Sequence, residues 1–288
     1  MMNKSNLERK SVLITGASSG IGRAIAKYLA KQGMVVYACA RKKMDIDDLN
    51  AIRNIQGLKL DVTLPEDLMK VANFLKENNI KLYALINNAG IATGGPMLLL
   101  EEKEVRDCIE VNCMGVVNVT KMVYPFLEDL GRIVNISSIG AKYITPFLAP
   151  YHMSKMAMEA YSGSLRIELS PFGNPVIIIR PGAVKIQSKA NRFIQRIEGT
   201  VYGEAFNEYW RNIEKQHEKA ISPEKIAKIV FKALYTKKPR KSYLVPHKPI
   251  LIRIWLFLSH FGITDRIYTR FLCKHIKREQ KTELYSKN

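Results

Sequence analysis

The chain has 288 residues, 47% of them hydrophobic, with 45 Lys and Arg against 26 Asp and Glu, a formal net charge of +19. That apolar fraction is ordinary for a globular protein, and the length allows one large α/β domain or two small ones with a full-sized core. Four scattered cysteines, Cys39, Cys108, Cys113 and Cys273, form no CxxC pair and no His/Cys cluster, which excludes a disulfide framework or a zinc site and suits a reducing cytoplasm.

The first ten residues are polar and lead into a strand-like run with no apolar leader core, so a secreted protein is not expected. From Lys237 onward there are 13 Lys or Arg against 3 Asp or Glu, which places +10 of the +19 in the last part of the chain. No recognition motif accompanies that charge, so specific nucleic-acid binding is not expected.

In chain order, VLIT (12–15) reads as a strand and is followed by a helix over 20–32. VVYACA (35–40) and LKLDV (58–62) are strands, with a helix over 65–78 after the latter. LYALIN (82–87), a long helix over 101–124, RIVNIS (132–137), a helix over 150–170 and VIIIR (176–180) continue the alternation. Strands apolar throughout and separated by helices predict a parallel sheet covered on both faces. After Pro181 the pattern over 184–220 is helical but polar and basic; a helix over 222–236 and a short strand SYLV (242–245) follow. Ligands of such sheets bind at the carboxyl ends of the strands, so 184–220 is expected to form a substrate lid.

Directly after the first strand stands Thr15-Gly-Ala-Ser-Ser-Gly-Ile-Gly22. Gly16 permits a tight turn, Gly20 and Gly22 allow close backbone approach, and the stretch around Ser18, Ser19 and Ile21 opens a helix whose N-terminus receives a pyrophosphate. A carboxylate at the end of the second strand would accept hydrogen bonds from the ribose of NAD; here the strand ends Ala40-Arg41-Lys42-Lys43. Ala40 has no charge to repel a phosphate and Arg41 offers a planar fork for one, which favours NADP(H).

Tyr151 and Lys155, in YHMSK, are four residues apart and therefore share one face of a helix, with the ammonium near the phenol. That cation, aided by the positive nicotinamide of an oxidised cofactor, favours the phenolate and is expected to lower the tyrosine pKa from about 10 toward the working range of a general acid or base.

The motifs TGASSGIG (15–22), DV (61–62), NNAG (87–90), VN (111–112), ISS (136–138), YHMSK (151–155) and RPG (180–182) together resemble the short-chain dehydrogenase/reductase family over residues 9–183. The string over 131–169 is most like the branch of hydroxysteroid and retinol dehydrogenases. The resemblance implies a Rossmann-like doubly wound sheet in a single domain over 1–248, with a C-terminal hydrophobic and basic extension over 249–288. It also implies that Asn112, Ser138, Tyr151 and Lys155 form a catalytic tetrad. Asp61 and Val62 would lie beside the adenine, Asn88, Ala89 and Gly90 would line the cofactor cleft, and Pro181, Gly182 and Val184 would face the nicotinamide end. By the same resemblance Ser138 orients the substrate oxygen, Lys155 also binds the ribose, and Asn112 fixes a water that relays protons. The family often carries a threonine shortly after its RPG equivalent; Ile186 offers no hydroxyl, leaving the Val184 backbone, Gln187 or Ser188 to substitute. No metal is expected, and a homodimer or homotetramer is.

Ile139, Tyr143, Phe147, Leu148 and Phe193 form an apolar set suited to a steroid or bile acid, so the expected activity is that of a hydroxysteroid dehydrogenase. Two alternatives stand beside it: a membrane-surface reductase of acyl or sphingoid-type lipid ketones, and a nonenzymatic NADP-binding sensor. The run over 249–264, at about 14 apolar residues and interrupted by Arg253 and His260, is too short to span a bilayer, which needs about 20. It and the basic segment after it are open to four readings: completing the core, covering the cleft, packing on another subunit, or lying on an anionic membrane surface.

Overall fold

The computed structural model describes residues 9–185, 197–218, 220–246 and 249–276. Seven strands form one sheet, all parallel to their neighbours: β1 (Ser11–Ile14), β2 (Val35–Ala40), β3 (Ile55–Lys59), β4 (Leu82–Asn87), β5 (Leu127–Ile136), β6 (Val176–Pro181) and β7 (Ser242–Val245), in the spatial order β3-β2-β1-β4-β5-β6-β7. Parallel neighbours need crossovers, and helices supply them: α1 (Gly20–Lys31), α2 (Lys43–Asn50), α3 (Pro65–Glu77), α4 (Glu102–Ile109), α5 (Gly115–Val123), α6 (Ala149–Glu168) and α8 (Pro223–Tyr235), with α7 (Gly203–Glu218) between β6 and α8.

Alternate residues of each strand serve opposite faces of the sheet. On one face Ile14, Val36, Ala38 and Ile86 pack with Ile25 and Leu29 of α1 and Val230 and Phe231 of α8. On the other, Leu13, Cys39 and Leu85 pack with Val71 and Leu75 of α3 and Val119 and Val123 of α5. This two-sided burial is why β1, β2, β4 and β6 carry almost no polar residues. The strand order reverses between β1 and β4, so the crevice at their carboxyl ends is the topological switch point.

The long helix expected over 101–124 is interrupted: α4 passes through a π-helical turn, Glu110–Met114, before α5 begins. Such single turns shift the register of a helix and recur at functional sites, and this one contains Asn112. The turn after β2 runs straight into α2, which buries Leu49. β5 begins at Leu127, earlier than RIVNIS suggests, because its first residues pair with Leu82 across a register shift.

At the C-terminus, α9 (Pro249–His260) and α10 (Ile263–His275) form a hairpin turning at Gly262, whose φ of +66° suits glycine. The hairpin does not complete the core of the sheet. Instead α10 packs on α7, where Phe271, Leu272 and Ile276 join a separate aromatic cluster of Phe147, Phe206 and Tyr209.

Candidate active site

The glycine loop leaves the carboxyl end of β1 and is stitched to the segment leaving β4. Thr15 Oγ1 accepts from the backbone N–H groups of Asn88 and Ala89 at 2.9 and 3.0 Å, and Asn88 Nδ2 donates to the carbonyls of Thr15 and Gly16 at 3.0 Å each. Gly16 adopts φ +64° and Gly20 φ +55°, the left-handed region. A Cβ on Gly16 would lie 2.7 Å from the Ala89 Cα, and one on Gly22 would overlap the Gly16 carbonyl and the Asn88 amide. At the start of α1, Ser19 makes no capping bond and no acidic residue stands in the first turn. An uncapped helix start without a carboxylate is an anion site, so these residues fit a dinucleotide pyrophosphate.

Around this cradle, Arg41 is largely exposed and Nη1 lies 3.7 Å from Asp61 Oδ2. Asp61 is held by its backbone N–H, which donates to the buried Asp67 carboxylate at 2.9 Å, and it accepts from Thr63 Oγ1 at 2.8 Å. Val62 is buried against α5. Gly90 has no side chain where a Cβ would come within 3.1 Å of Asn112 Oδ1 and 3.6 Å of Lys155 Nζ, which keeps an open line to both. Beyond β6, Gly182 is anchored by its N–H to the Val245 carbonyl at 3.0 Å. Val184 forms a parallel bridge with Ile221 through the Ala183 carbonyl and the Lys185 N–H, so its own N–H and carbonyl lie outside that bridge. Ile186, Gln187, Ser188 and Phe193 fall outside the described residues.

Ser138 follows the end of β5, and its hydroxyl accepts from the Gly140 N–H at 3.0 Å and stands near the Tyr151 phenol. Tyr151 is half-buried in the first turns of α6. Lys155, one turn on, is 6% exposed, and Nζ donates to the Ile136 carbonyl at 3.0 Å and stands 6.0 Å from the centre of the Tyr151 ring. Asn112 is fully buried: Oδ1 accepts from the Ile91 N–H at 2.8 Å, and Nδ2 donates to the Ile91 carbonyl at 2.8 Å and to Ser154 Oγ at 2.9 Å. Those bonds clamp the segment after NNAG onto α6.

The electrostatics differ from the expectation that the lysine lowers the tyrosine pKa. Burial dominates and raises the Tyr151 phenol above 10, with the Ser138 hydrogen bond a partial offset. Burial also lowers Lys155 from 10.5 to about 8, against smaller opposing contributions from Cys108 and Glu159. In the protein by itself the phenol is thus held protonated, the form that donates a proton.

Two supports escaped sequence reading. His152, beside Tyr151, is buried; its Nε2 faces the Thr145 N–H at 3.2 Å, which makes Nδ1 the donor to the Gly140 carbonyl at 2.7 Å. Burial lowers its pKa and keeps it neutral, so it ties the turn carrying Ser138 to the loop ahead of Tyr151. Glu159, one turn beyond Lys155, accepts two bonds from Arg180 at 2.6 and 2.8 Å and one from Ser137 Oγ at 2.8 Å, and pairs with Lys142 at 2.8 Å. Its i+4 spacing from Lys155 was the available signal; the arginine of RPG was its unrecognised partner.

Of the apolar set assigned to substrate, Ile139 and Phe147 are committed to the interior. Phe147 holds φ +64° and meets Tyr202, Phe206 and Tyr209 edge-on at 6.2, 5.3 and 5.5 Å. Leu148 packs beside Gly94. The Tyr143 pKa is pushed up to about 12 by burial and, to a smaller degree, by Tyr209 and Tyr151.

Comparison with known proteins agrees with this architecture. The family model for short chain dehydrogenases matches residues 10–196. A 3-ketodihydrosphingosine reductase from Bacteroides thetaiotaomicron is 33% identical over 81% of this chain and 86% of its own. An NADPH-dependent 3-dehydrocapnine reductase from Ornithobacterium rhinotracheale is 30% identical over 92% and 97%. The crystal structure of a short-chain dehydrogenase from Streptomyces avermitilis superposes with a TM-score of 0.71 at 27% identity, covering 90% of this chain and 97% of that one.

Proposed function

Because the chain belongs to the short chain dehydrogenase family, whose members bind a nicotinamide cofactor, we propose that it is an NADP(H)-dependent enzyme reducing the ketone of a sphingoid-type or acyl lipid to a secondary alcohol. The observation that carries the reaction type is the Tyr151 phenol, one helical turn from the buried Lys155 at the edge of a glycine-lined nucleotide cradle. Such a phenol can give its proton to a ketone or take one from an alcohol, and relatives named as reductases favour the reducing direction.

When bound, the reduced dinucleotide supplies the hydride. Ser138 and Tyr151 hold the ketone oxygen between their hydroxyls, and Tyr151 gives its proton to that oxygen as the carbonyl carbon becomes tetrahedral. Lys155 then stabilises the phenolate left behind from one helical turn away. Asn112, through Ile91 and Ser154, fixes the wall between the cradle and α6. Gly16 to Gly22 receive the pyrophosphate, Arg41 the ribose phosphate, Asp61 and Val62 the adenine end, and Pro181, Gly182 and Val184 the nicotinamide end.

The lipid substrate is favoured over a steroid on two grounds. The two bacterial relatives above are named as reductases of a 3-keto and a 3-dehydro compound, one of them NADPH-dependent, and two of the side chains counted toward a steroid pocket are spent on the core. A sensor would not need the Ser138, Tyr151 and Lys155 arrangement. Four free thiols fit a reducing cytoplasm, and a homo-oligomer belongs to the same proposal. Among the described residues no helix is long and apolar enough to cross a membrane.

The test is product analysis by mass spectrometry after incubation with NADPH and, in parallel, a 3-keto sphingoid base, an acyl ketone and a panel of oxosteroids. The expected result is addition of two hydrogens to a lipid ketone. Turnover of oxosteroids alone restores the hydroxysteroid reading, and tight NADPH binding with no turnover of any ketone supports the sensor.

A further inference from the structure

Helix α9 presents an exposed apolar face. Ile250, Ile254 and Phe257 recur at i, i+4 and i+7 and are 73, 50 and 64% exposed, with Leu251 beside them at 55% and Phe261, in the turn that follows, at 62%. None of residues 250–260 is buried. Trp255 meets Tyr268 of α10 edge-on at 6.2 Å, and Phe271 and Leu272, one turn on along the same side of α10, pack on the aromatic cluster over α7. α9 therefore meets α10 through Trp255 and turns Ile250, Ile254 and Phe257 to solvent. A contiguous patch of this kind marks an interaction surface.

Charge identifies what it faces. Arg253 on α9 and Arg266, Arg270 and Lys274 on α10 are exposed, within a segment from Lys237 to the terminus whose formal charge is +10. A second copy meeting this face would bring two such segments together, like against like. An anionic lipid surface would instead neutralise the cations while the stripe enters the acyl boundary, and a 12-residue helix is of a length to lie in an interface and not to cross it.

We infer that the α9–α10 hairpin docks the protein on anionic bilayers, with Ile250, Leu251, Ile254, Phe257 and Phe261 inserted and the arginines at the phosphate level. The hairpin also packs near the site: Phe271 and Leu272 of α10 join the cluster of Phe147 and Leu148, the residues just ahead of the helix that carries Tyr151. The docking element therefore packs beside the segment that leads into Tyr151. This deepens the lipid-ketone proposal by naming the surface that presents the substrate, yet docking is read without turnover, so either can fail alone.

The experiment is sedimentation of the full-length protein with vesicles of phosphatidylcholine alone and of equimolar phosphatidylcholine and phosphatidylglycerol. Binding is expected to the anionic vesicles, weaker binding to the neutral ones, and release as salt shortens the screening length toward about 3 Å. The paired substitutions Ile254→Ser and Phe257→Ser, at exposed positions and with an unchanged melting temperature as control, should lower partitioning at least about tenfold. Arg266→Glu, an independent variant, should lower it about fivefold or more. No sedimentation at low salt overturns the inference, as does binding indifferent to both sets of substitutions. A wild-type dimer that the serine variant converts to monomer, by light scattering, also overturns it, because the occupant is then a second copy.

Discussion

Lys155 is a cation kept where water does not reach, and Lys155→Met removes that charge while roughly preserving the length of the side chain. Burial holds its pKa at about 8 in the folded protein against 10.5 for a free lysine; at about 1.36 kcal/mol per tenfold change in acidity, the charged form is disfavoured by about 3 kcal/mol. The sign follows from proton counting. Below pH 8 the lysine is charged in both folded and unfolded chains and the full penalty applies, independent of pH. Between about 8 and 10.5 the unfolded chain holds more protons, so wild-type stability rises with pH; above 10.5 the penalty is gone. The methionine variant has no such dependence at this position. Urea unfolding of both proteins from pH 7 to 10 should show wild type gaining about 2.5 kcal/mol relative to Lys155→Met, whatever constant offset arises from the lost bond to the Ile136 carbonyl. A difference that stays constant to within about 1 kcal/mol refutes the claim that this lysine is charged at the expense of stability.

Glu159 is raised by burial but brought below the ordinary carboxylate range by hydrogen bonds from Arg180, Lys142 and Ser137. Glu159→Ala leaves the Arg180 guanidinium unpaired at a mostly buried site and should cost about 3–5 kcal/mol in urea unfolding. Because the folded pKa is depressed, that difference should hold at neutral pH and shrink as pH falls through the depressed value; a loss under about 1 kcal/mol at pH 7 sinks the idea. Gly22→Ala places a methyl against the Gly16 carbonyl and the Asn88 amide, neither of which can yield without breaking the cradle. NADPH affinity by fluorescence titration should fall more than about tenfold, and an unchanged affinity would remove the loop from the nucleotide site. Arg41→Asp should weaken NADPH by about a hundredfold and leave NADH within about threefold; equal effects on both would mean that Arg41 reads no phosphate.

Periodicity and glycine spacing made most of the sheet legible, because strands covered on both faces cannot carry polar residues and a nucleotide turn needs glycine at fixed places. The positions of Ser138, Tyr151 and Lys155 were readable for the same reason: a strand end and one helical turn set their separations. What could not be read depended on contacts distant in sequence. Glu159 with Arg180, His152 with Thr145, and Phe147 with Tyr209 become pairs only when α6, β6 and α7 are folded together. The direction of the Tyr151 shift was missed because proximity to Lys155 is visible in YHMSK, whereas the depth of the pocket is not. The π turn at Asn112 likewise leaves no mark in a pattern that reads as one continuous helix.

The central claim is that the Tyr151 phenol delivers the proton to a lipid ketone. The most direct measurement is NADPH oxidation by wild type and Tyr151→Phe on the same 3-keto sphingoid substrate, with NADPH affinity measured on both. Loss of turnover by about 10²–10⁴ with cofactor affinity within about twofold is the predicted result. Turnover by the phenylalanine variant within about tenfold of wild type would contradict the account.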